Sequence, residues 1–360
     1  MQWTAALAAW PSVREPWAQT AAVARKGPAV WPTAPVTLVV PFPAGGTTAL
    51  LAKQLVKPFQ QHTQQSLRLQ YQSGAAGVQG AAYAASAPPD GKHLLMGGSN
   101  LAVARALAGD EDFDLMEDLR PLALVARVPL VLLVNPGRMR SRTAMEWLSD
   151  LGRKPMYYRM ASAGQGSSSH VYAEILRQQE ALRFKFVHFR GAGPALQDLL
   201  AGSVDMMIDG VVSCLPHVRS GRLKALMVSG NERVASLPDV PCATELGVHA
   251  MDRVAWYGLF APKQLPDSRA AAIVDVLRQL GADPQLKSSL ADLGIGWGGL
   301  YGEAFESMVK EQTLEWAQRM KALGLQNILQ KIRKRAEHRG AYSGTAAAGC
   351  SGQQHRDLAG

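Results

Sequence analysis

"VVPFPAGGTTALLAK" (residues 39–53) runs from a buried apolar stretch through two prolines and two glycines straight into a helical pattern. Strand, Gly-rich turn and helix in that order make the first half of a βα unit, and the rest of the chain either repeats that unit or breaks it. It repeats. "VTLVVPF" (36–42) reads as a strand buried on both faces, followed by a helix expected from about Thr47 to Gln61. "LRLQYQ" is a second strand, "GVQGAAYAASA" a helix of small residues, and "PPDG" a turn ahead of the strand "HLLMGG" and the helix "LAVARAL". Strands alternating with helices specify a mostly parallel sheet with helices on its faces.

"LRPLALVARVPLVLLVNP" (119–136) is too long for one strand and is interrupted at Pro129. It suits a strand that leaves one sheet and enters another. A second alternating series follows: helix "RTAMEWLSDL", strand "YYRMASA", helix "SSSHVYAEILRQQ", strand "FKFVHF", helix "PALQDLLAG", strand "VDMMID", helix "VVSCLPHVRSG" and strand "LKALMVSG". "VAWYGLFAP" (254–262) reads as a second crossing strand, and three amphipathic helices end the pattern. The expected fold is α/β: a two-lobed clamshell with a mostly parallel sheet in each lobe and two crossing segments. Its expected divisions are an N-terminal lead over 1–35, lobe 1 over 36–130 plus 255–325, lobe 2 over 131–254, and a basic tail over 326–360. Ligands of such folds bind between the lobes, at the carboxyl ends of the strands.

Composition narrows the function classes. In 360 residues, 47% are hydrophobic and 19% charged, and no apolar run approaches the ~20 residues that span a bilayer. The net charge of +9 is concentrated in the ends, +2 in residues 1–35 and +4 in 326–360, which leaves +3 for the body and no footprint for nucleic acid. Three cysteines, Cys214, Cys242 and Cys350, have neither disulfide-framework nor zinc spacing; isolated thiols are expected, with a single Cys214–Cys242 bridge left open. No metal or cofactor is expected.

Three βα turns are rich in glycine and small hydroxyl residues: "PFPAGGTT" (41–48), "ASAGQGSSSH" (161–170) and "FRGAGPA" (189–195). Glycine lets a ligand approach the backbone, and the N-H groups at a helix start favour an anion. Any single βα turn uses glycine and a hydroxyl cap, so the weight lies in three such turns facing one cleft. Asp209, the acid at a strand's carboxyl end in the second lobe, either accepts from a ligand hydroxyl or ammonium or caps the next helix. Enzyme motifs are missing: there is no GxxxxGK[ST], GxSxG or HExxH, and His170 and His188 suit structural roles. "GAGPAL" (191–196) is two-thirds of a dinucleotide fingerprint, with Leu196 at the third glycine position.

The order and spacing of "VTLVVPFPAGGTTALLAKQL", "APPDGKHLLMGGSN", "PLALVARVPLVLLVNP", "MASAGQGSSSHVYAEIL", "VHFRGAGPALQDLLAGSVDMMID", "GRLKALMVSGNERVASLPDVPCATELGV" and "WYGLFAPKQLP" resemble the Bug family. These are extracytoplasmic solute-binding proteins of the tripartite tricarboxylate transporter type, and the resemblance covers about residues 34–325. It implies a type II periplasmic-binding-protein-like clamshell, without catalysis, that closes on a small carboxylate (a dicarboxylate, a tricarboxylate, an aromatic acid such as nicotinate, or an acidic amino acid); a monomer is the default for a clamshell that must open and close. A membrane permease or a sensor ectodomain would read the closed shape. In that family the first turn and the "SAGxGS" turn clasp a ligand carboxylate through backbone N-H groups, hydroxyls and water. Carried onto this chain, the resemblance implies Phe42, Ala44, Gly45, Gly46 and Thr47 in one lobe, and Ala163, Gly164, Gly166, Ser167 and Ser168 in the other. Ser99, Asn100, Gly191, Ala192 and Asp209 would complete the wall.

The family pattern "GGxxD" then "AR" is broken here by Ala49 and Lys53, which removes an acid that would meet a ligand amine and speaks against an amino-acid ligand. Phe189 and Arg190 replace the usual "YK". The N-terminal stretch makes a poor secretory signal, because Pro11, Arg14 and Glu15 interrupt its apolar part. The tail 326–360 is low in hydrophobic content and reads as disordered, and a read-through or frameshifted end of a decayed gene would explain both termini. Two alternatives to a working solute-binding protein are therefore carried forward: an enzyme on the same fold using a dinucleotide, and a degenerate copy.

Overall fold

The computed structural model describes residues 31–108 and 113–326. The expectations for most of the N-terminal lead, for the tail and for Cys350 lie outside the described residues. In chain order the first elements are β1 (Val36–Val40), α1 (Thr47–Thr63), β2 (Leu67–Tyr71), α2 (Val78–Ala85), β3 (His93–Gly98), α3 (Ser99–Ala108), α4 (Leu115–Asp118) and β4 (Leu119–Val128). Then come β5 (Leu130–Val134), α5 (Ala144–Arg153), β6 (Arg159–Ser162), α6 (Ser168–Gln179), β7 (Lys185–His188), α7 (Ala192–Ala201), β8 (Met206–Gly210), α8 (Val211–Arg219) and β9 (Lys224–Val228). The chain ends with β10 (Ala255–Pro262), α9 (Asp267–Ala282), α10 (Pro284–Asp292) and α11 (Glu303–Ala322).

Two five-stranded sheets form, ordered β2-β1-β3-β10-β4 and β7-β6-β8-β5-β9. In each, the three strands at one edge are parallel, and the fourth strand runs antiparallel to both of its neighbours. The reversed strand is in each case the one that follows a crossing. β4 runs toward the cleft, the chain passes through Pro129, and β5 therefore enters the second sheet from its cleft end. The same holds for β10 on the return path. Pro129 suits the junction because no ladder can use the N-H it lacks, while its carbonyl accepts from Val211 N at 2.9 Å. "VAWYGLFAP" is thus a strand of the first sheet alone, and the second crossing precedes it.

All five residues of β5 are buried, as are all five of β8, since helices cover both faces of these central strands. Two boundaries move relative to the sequence reading. The helix expected at 142–151 begins at Ala144 because Thr143 caps it, its hydroxyl accepting from Glu146 N at 3.1 Å while the Glu146 carboxylate accepts from Arg142 N at 2.6 Å. The strand expected from Tyr157 begins at Arg159, because Met156 is held in a left-handed turn (φ 61°) by its N-H on Arg183 O at 2.9 Å. Cys214 and Cys242 are free, buried thiols, which excludes the bridge between them that the sequence left open.

A buried acid ties the second sheet to the chain around it. Asp205, just before β8, accepts from Arg159 N at 2.7 Å and from Arg138 Nε at 3.2 Å, with its side chain 4% exposed. Asp205→Asn removes the charge and turns one end of the group into a donor facing an arginine. The expected loss is about 2 kcal/mol of stability, read from the urea midpoint of the ligand-free protein. An unchanged midpoint would show that these contacts add nothing.

Candidate functional site

The carboxyl ends of β1, β3, β6, β7 and β8 face the space between the sheets, so α1, α3, α6, α7 and α8 all start there. The cavity at this point is lined by Phe42, Gly46, Thr47, Thr48, Asn100, Leu130, Ala163, Ser167, Ser168, Ser169, Ala192, Asp209 and Tyr257. About 470 Å³ inside it is not filled by atoms, part of which opens to solvent. Among the described residues, no lysine, arginine or histidine lines it.

The lobes touch around this cavity. Thr47 Oγ1 of α1 lies 3.2 Å from Ser213 Oγ of α8, and Ser99 Oγ of α3 lies 3.4 Å from Ser168 Oγ of α6. Backbone closeness explains the glycines of the third turn. A side chain at Gly191 (φ 122°) would put its Cβ 2.4 Å from Pro43 Cγ, and one at Gly193 would sit 2.5 Å from Ala44 O. The "GAG" run that looked like part of a dinucleotide fingerprint is where the first-lobe loop presses on the start of α7.

Three of the converging helix starts lack a side-chain cap: α8 begins after Gly210, with its Val211 N-H on Pro129 O, and α1 and α7 begin after Gly46 and Gly191. The first-turn amides of α1 and α7 are the groups that an anion would satisfy, from opposite lobes. α6 is different. Its N-cap Ser167 accepts from His170 N at 3.4 Å and donates to Gly164 O at 2.7 Å, while Ser169 Oγ accepts from Ala163 N at 2.8 Å. The Ser167 hydroxyl is thereby committed to folding the 163–167 loop while still forming part of the wall. His170 is structural: its Nδ1 accepts from Gly166 N at 3.0 Å. His188 Nδ1 sits 2.7 Å from Ser162 Oγ.

Of the residues singled out from sequence, Phe42, Gly46, Thr47, Asn100, Ala163, Ser167, Ser168, Ala192 and Asp209 line the cavity. Ala44, Gly45 and Gly191 lie at the interlobe seam beside it, Ser99 reaches across it, and Gly164 and Gly166 shape the α6 loop. Arg190 is exposed and is not among the residues that line the cavity. Thr48, Leu130, Ser169 and Tyr257 were not foreseen. Tyr257 comes from β10, and burial raises its phenol well above the usual range, with the Asp209 charge adding to it and hydrogen bonds from Thr48 and Thr47 opposing. Asn100 also has a support that the sequence hid. Its Nδ2 donates to Ala76 O at 2.6 Å, in a 74–77 turn where Ala75 and Ala76 take positive φ (45° and 53°). Left-handed alanines are uncommon, and this pair is held where it carries a cleft residue.

Asp209 occupies the end of β8. Ser213 Oγ donates to its Oδ2 at 2.6 Å and also lies 2.9 Å from Gly210 O. Burial pushes its carboxyl up to about 6, against the lowering effect of Ser213 and the Gly210 amide.

The family model described as the tripartite tricarboxylate transporter family receptor matches residues 51–325. Protein BugT of Bordetella pertussis is 30% identical, across 76% of this chain and 90% of its own. Among solved structures, MatC of Rhodopseudomonas palustris with bound malate is 29% identical with a TM-score of 0.75, covering 80% of this chain and 99% of its own. A second R. palustris protein, solved with adipate, is 26% identical with a TM-score of 0.78, covering 82% and 99%.

Proposed function

This chain belongs to the tripartite tricarboxylate transporter receptor family, and on that premise we propose that it captures a small di- or tricarboxylate or aromatic acid between its lobes. The observation that carries the reading is the pair of uncapped helix starts, α1 and α7, opening from opposite lobes onto one cavity. Its neutral donors suit an oxyanion: backbone amides, the Thr47 and Ser168 hydroxyls and Asn100. Ligand contacts are assigned to the turn 42–47, to Ser99 and Asn100, to 163–168, to Gly191 and Ala192 and to Asp209. The closing bodies are 36–130 with 255–325, and 131–254. Malate in MatC and adipate in the second neighbour support the carboxylate class. Closure changes the outer shape, and a membrane permease or a sensor ectodomain outside the cytoplasm would read it, with the protein periplasmic and monomeric. No catalytic step is assigned.

A thermal-shift screen of the protein against malate, adipate, a tricarboxylate, nicotinate and nicotinamide dinucleotides tests this. A ligand at 100 times its Kd adds roughly 2.7 kcal/mol to the native state, a shift of several degrees for a protein of this size. A shift with one carboxylate class is expected. A shift with a dinucleotide and none with any carboxylate would overturn the reading and return the 191–196 turn to first place.

A further inference from the structure

The cavity combines two features that conflict once an anion enters. Helix starts from both lobes attract negative charge into it, yet Asp209, the one carboxylate lining it among the described residues, has no cation of those residues beside it. Its hydrogen-bond partners are the Ser213 hydroxyl at 2.6 Å and the Gly210 amide, both neutral. The titratable groups that face it from the packed elements are Tyr257 of β10 and Cys214 of α8, and burial holds both in their neutral forms at neutral pH. Ser213 joins Asp209 to Thr47 Oγ1 of the other lobe, so this carboxyl is part of the polar chain that meets when the lobes meet. Two carboxylates brought together as the lobes close off the cavity from water disfavour each other's ionisation, and one of them keeps a proton.

We propose that Asp209 is the proton acceptor of the cleft: closure on a carboxylate anion draws one proton from solvent onto Asp209, which then donates that O-H to an oxygen of the bound anion. The inference rests on the carboxylate reading above and deepens it. Each anion is captured together with a proton, and the like-charge conflict becomes a hydrogen bond. The closed cleft is already close to accepting the proton, because burial raises Asp209 to about 6 before any ligand charge is added.

The test is titration calorimetry of the whole protein with malate and with adipate near pH 7, in buffers of different ionisation enthalpy, so that the proton count is read from the slope. The free carboxylic acids are ionised in this window, so the ligand arrives without the proton, and loss of the uptake in Asp209→Asn is what assigns it to Asp209. An uptake of about 0.9 proton per ligand is expected from a group that starts near 6, with Kd rising about tenfold per pH unit above 7. Asp209→Asn should bind with no uptake and a flat pH profile. Binding by wild type without uptake would overturn this proposal and leave the carboxylate reading standing. Binding confined to an amino acid, lost in Asp209→Asn, would also overturn it by showing an ionised Asp209. Failure of every carboxylate to bind would overturn both.

Discussion

Gly46→Asp should abolish anion capture while leaving the fold intact. Gly46 is the N-cap of α1, with extended backbone (φ −91°, ψ 171°) that any residue adopts, and no side chain caps the helix. An aspartate there is among the best caps and its carboxylate reaches the first-turn amides, so stability should rise by a few tenths of a kcal/mol. Those are the amides assigned to the ligand. A carboxylate ~4 Å from the bound anion costs about 4 kcal/mol at an effective dielectric of 20, roughly a thousandfold in Kd. Gly46→Ser is the control, because it adds a Cβ of the same kind, 3.0 Å from Ala192 Cβ, without the charge. Its expected loss is about tenfold. Kd for malate and adipate, with the urea midpoint of each variant, decides the matter. Equal losses in Ser and Asp would mean that the seam contact with Ala192 is responsible, and wild-type affinity in Gly46→Asp would remove α1 from the anion site.

The turn containing Gly46 was legible because its chemistry is local. A buried strand, two glycines and a helical period in fifteen residues leave few structures open, and Pro129 marked the crossing by the same kind of local rule. What the sequence hid arrives from far along the chain. Tyr257 and Leu130 reach the cavity only because β10 and β5 are the reversed strands, lying fourth in their sheets, and strand order is a tertiary property. Gly191 and Gly193 show the converse difficulty. Their presence signals that something comes close to the backbone, but a pyrophosphate and Pro43 of the facing lobe impose the same requirement. Ser167 was expected to serve a ligand, and its hydroxyl also closes its own loop on Gly164 O, a competition that composition does not reveal.

That loop should make the protein acid-labile through His170. Burial, with smaller contributions from His188 and Arg177, lowers the imidazole from about 6.5 to about 3. The ring packs edge-on to Phe186 and His188, and Nδ1 accepts from Gly166 N, so protonation would both charge a buried ring and cost the loop amide its acceptor. Between pH 6.5 and 3 the unfolded chain carries a proton here that the native one refuses. Stability therefore rises with pH over this range: the His170 contribution is complete above about 6.5 and is lost as pH falls. At about 1.4 kcal/mol per pH unit, the loss reaches ~3 kcal/mol by pH 4. His188 is shifted downward too and acts in the same sense, whereas Asp209, raised when buried, acts in the opposite one. A comparison of parent with His170→Asn at each pH cancels both. Asparagine can still accept from Gly166 N but takes up no proton, so it should cost stability at pH 7 through lost ring contacts, with the gap closing by ~3 kcal/mol toward pH 4. Urea midpoints that run parallel across that range would show that the native ring is already free to protonate, and that the 163–167 loop draws its shape from elsewhere.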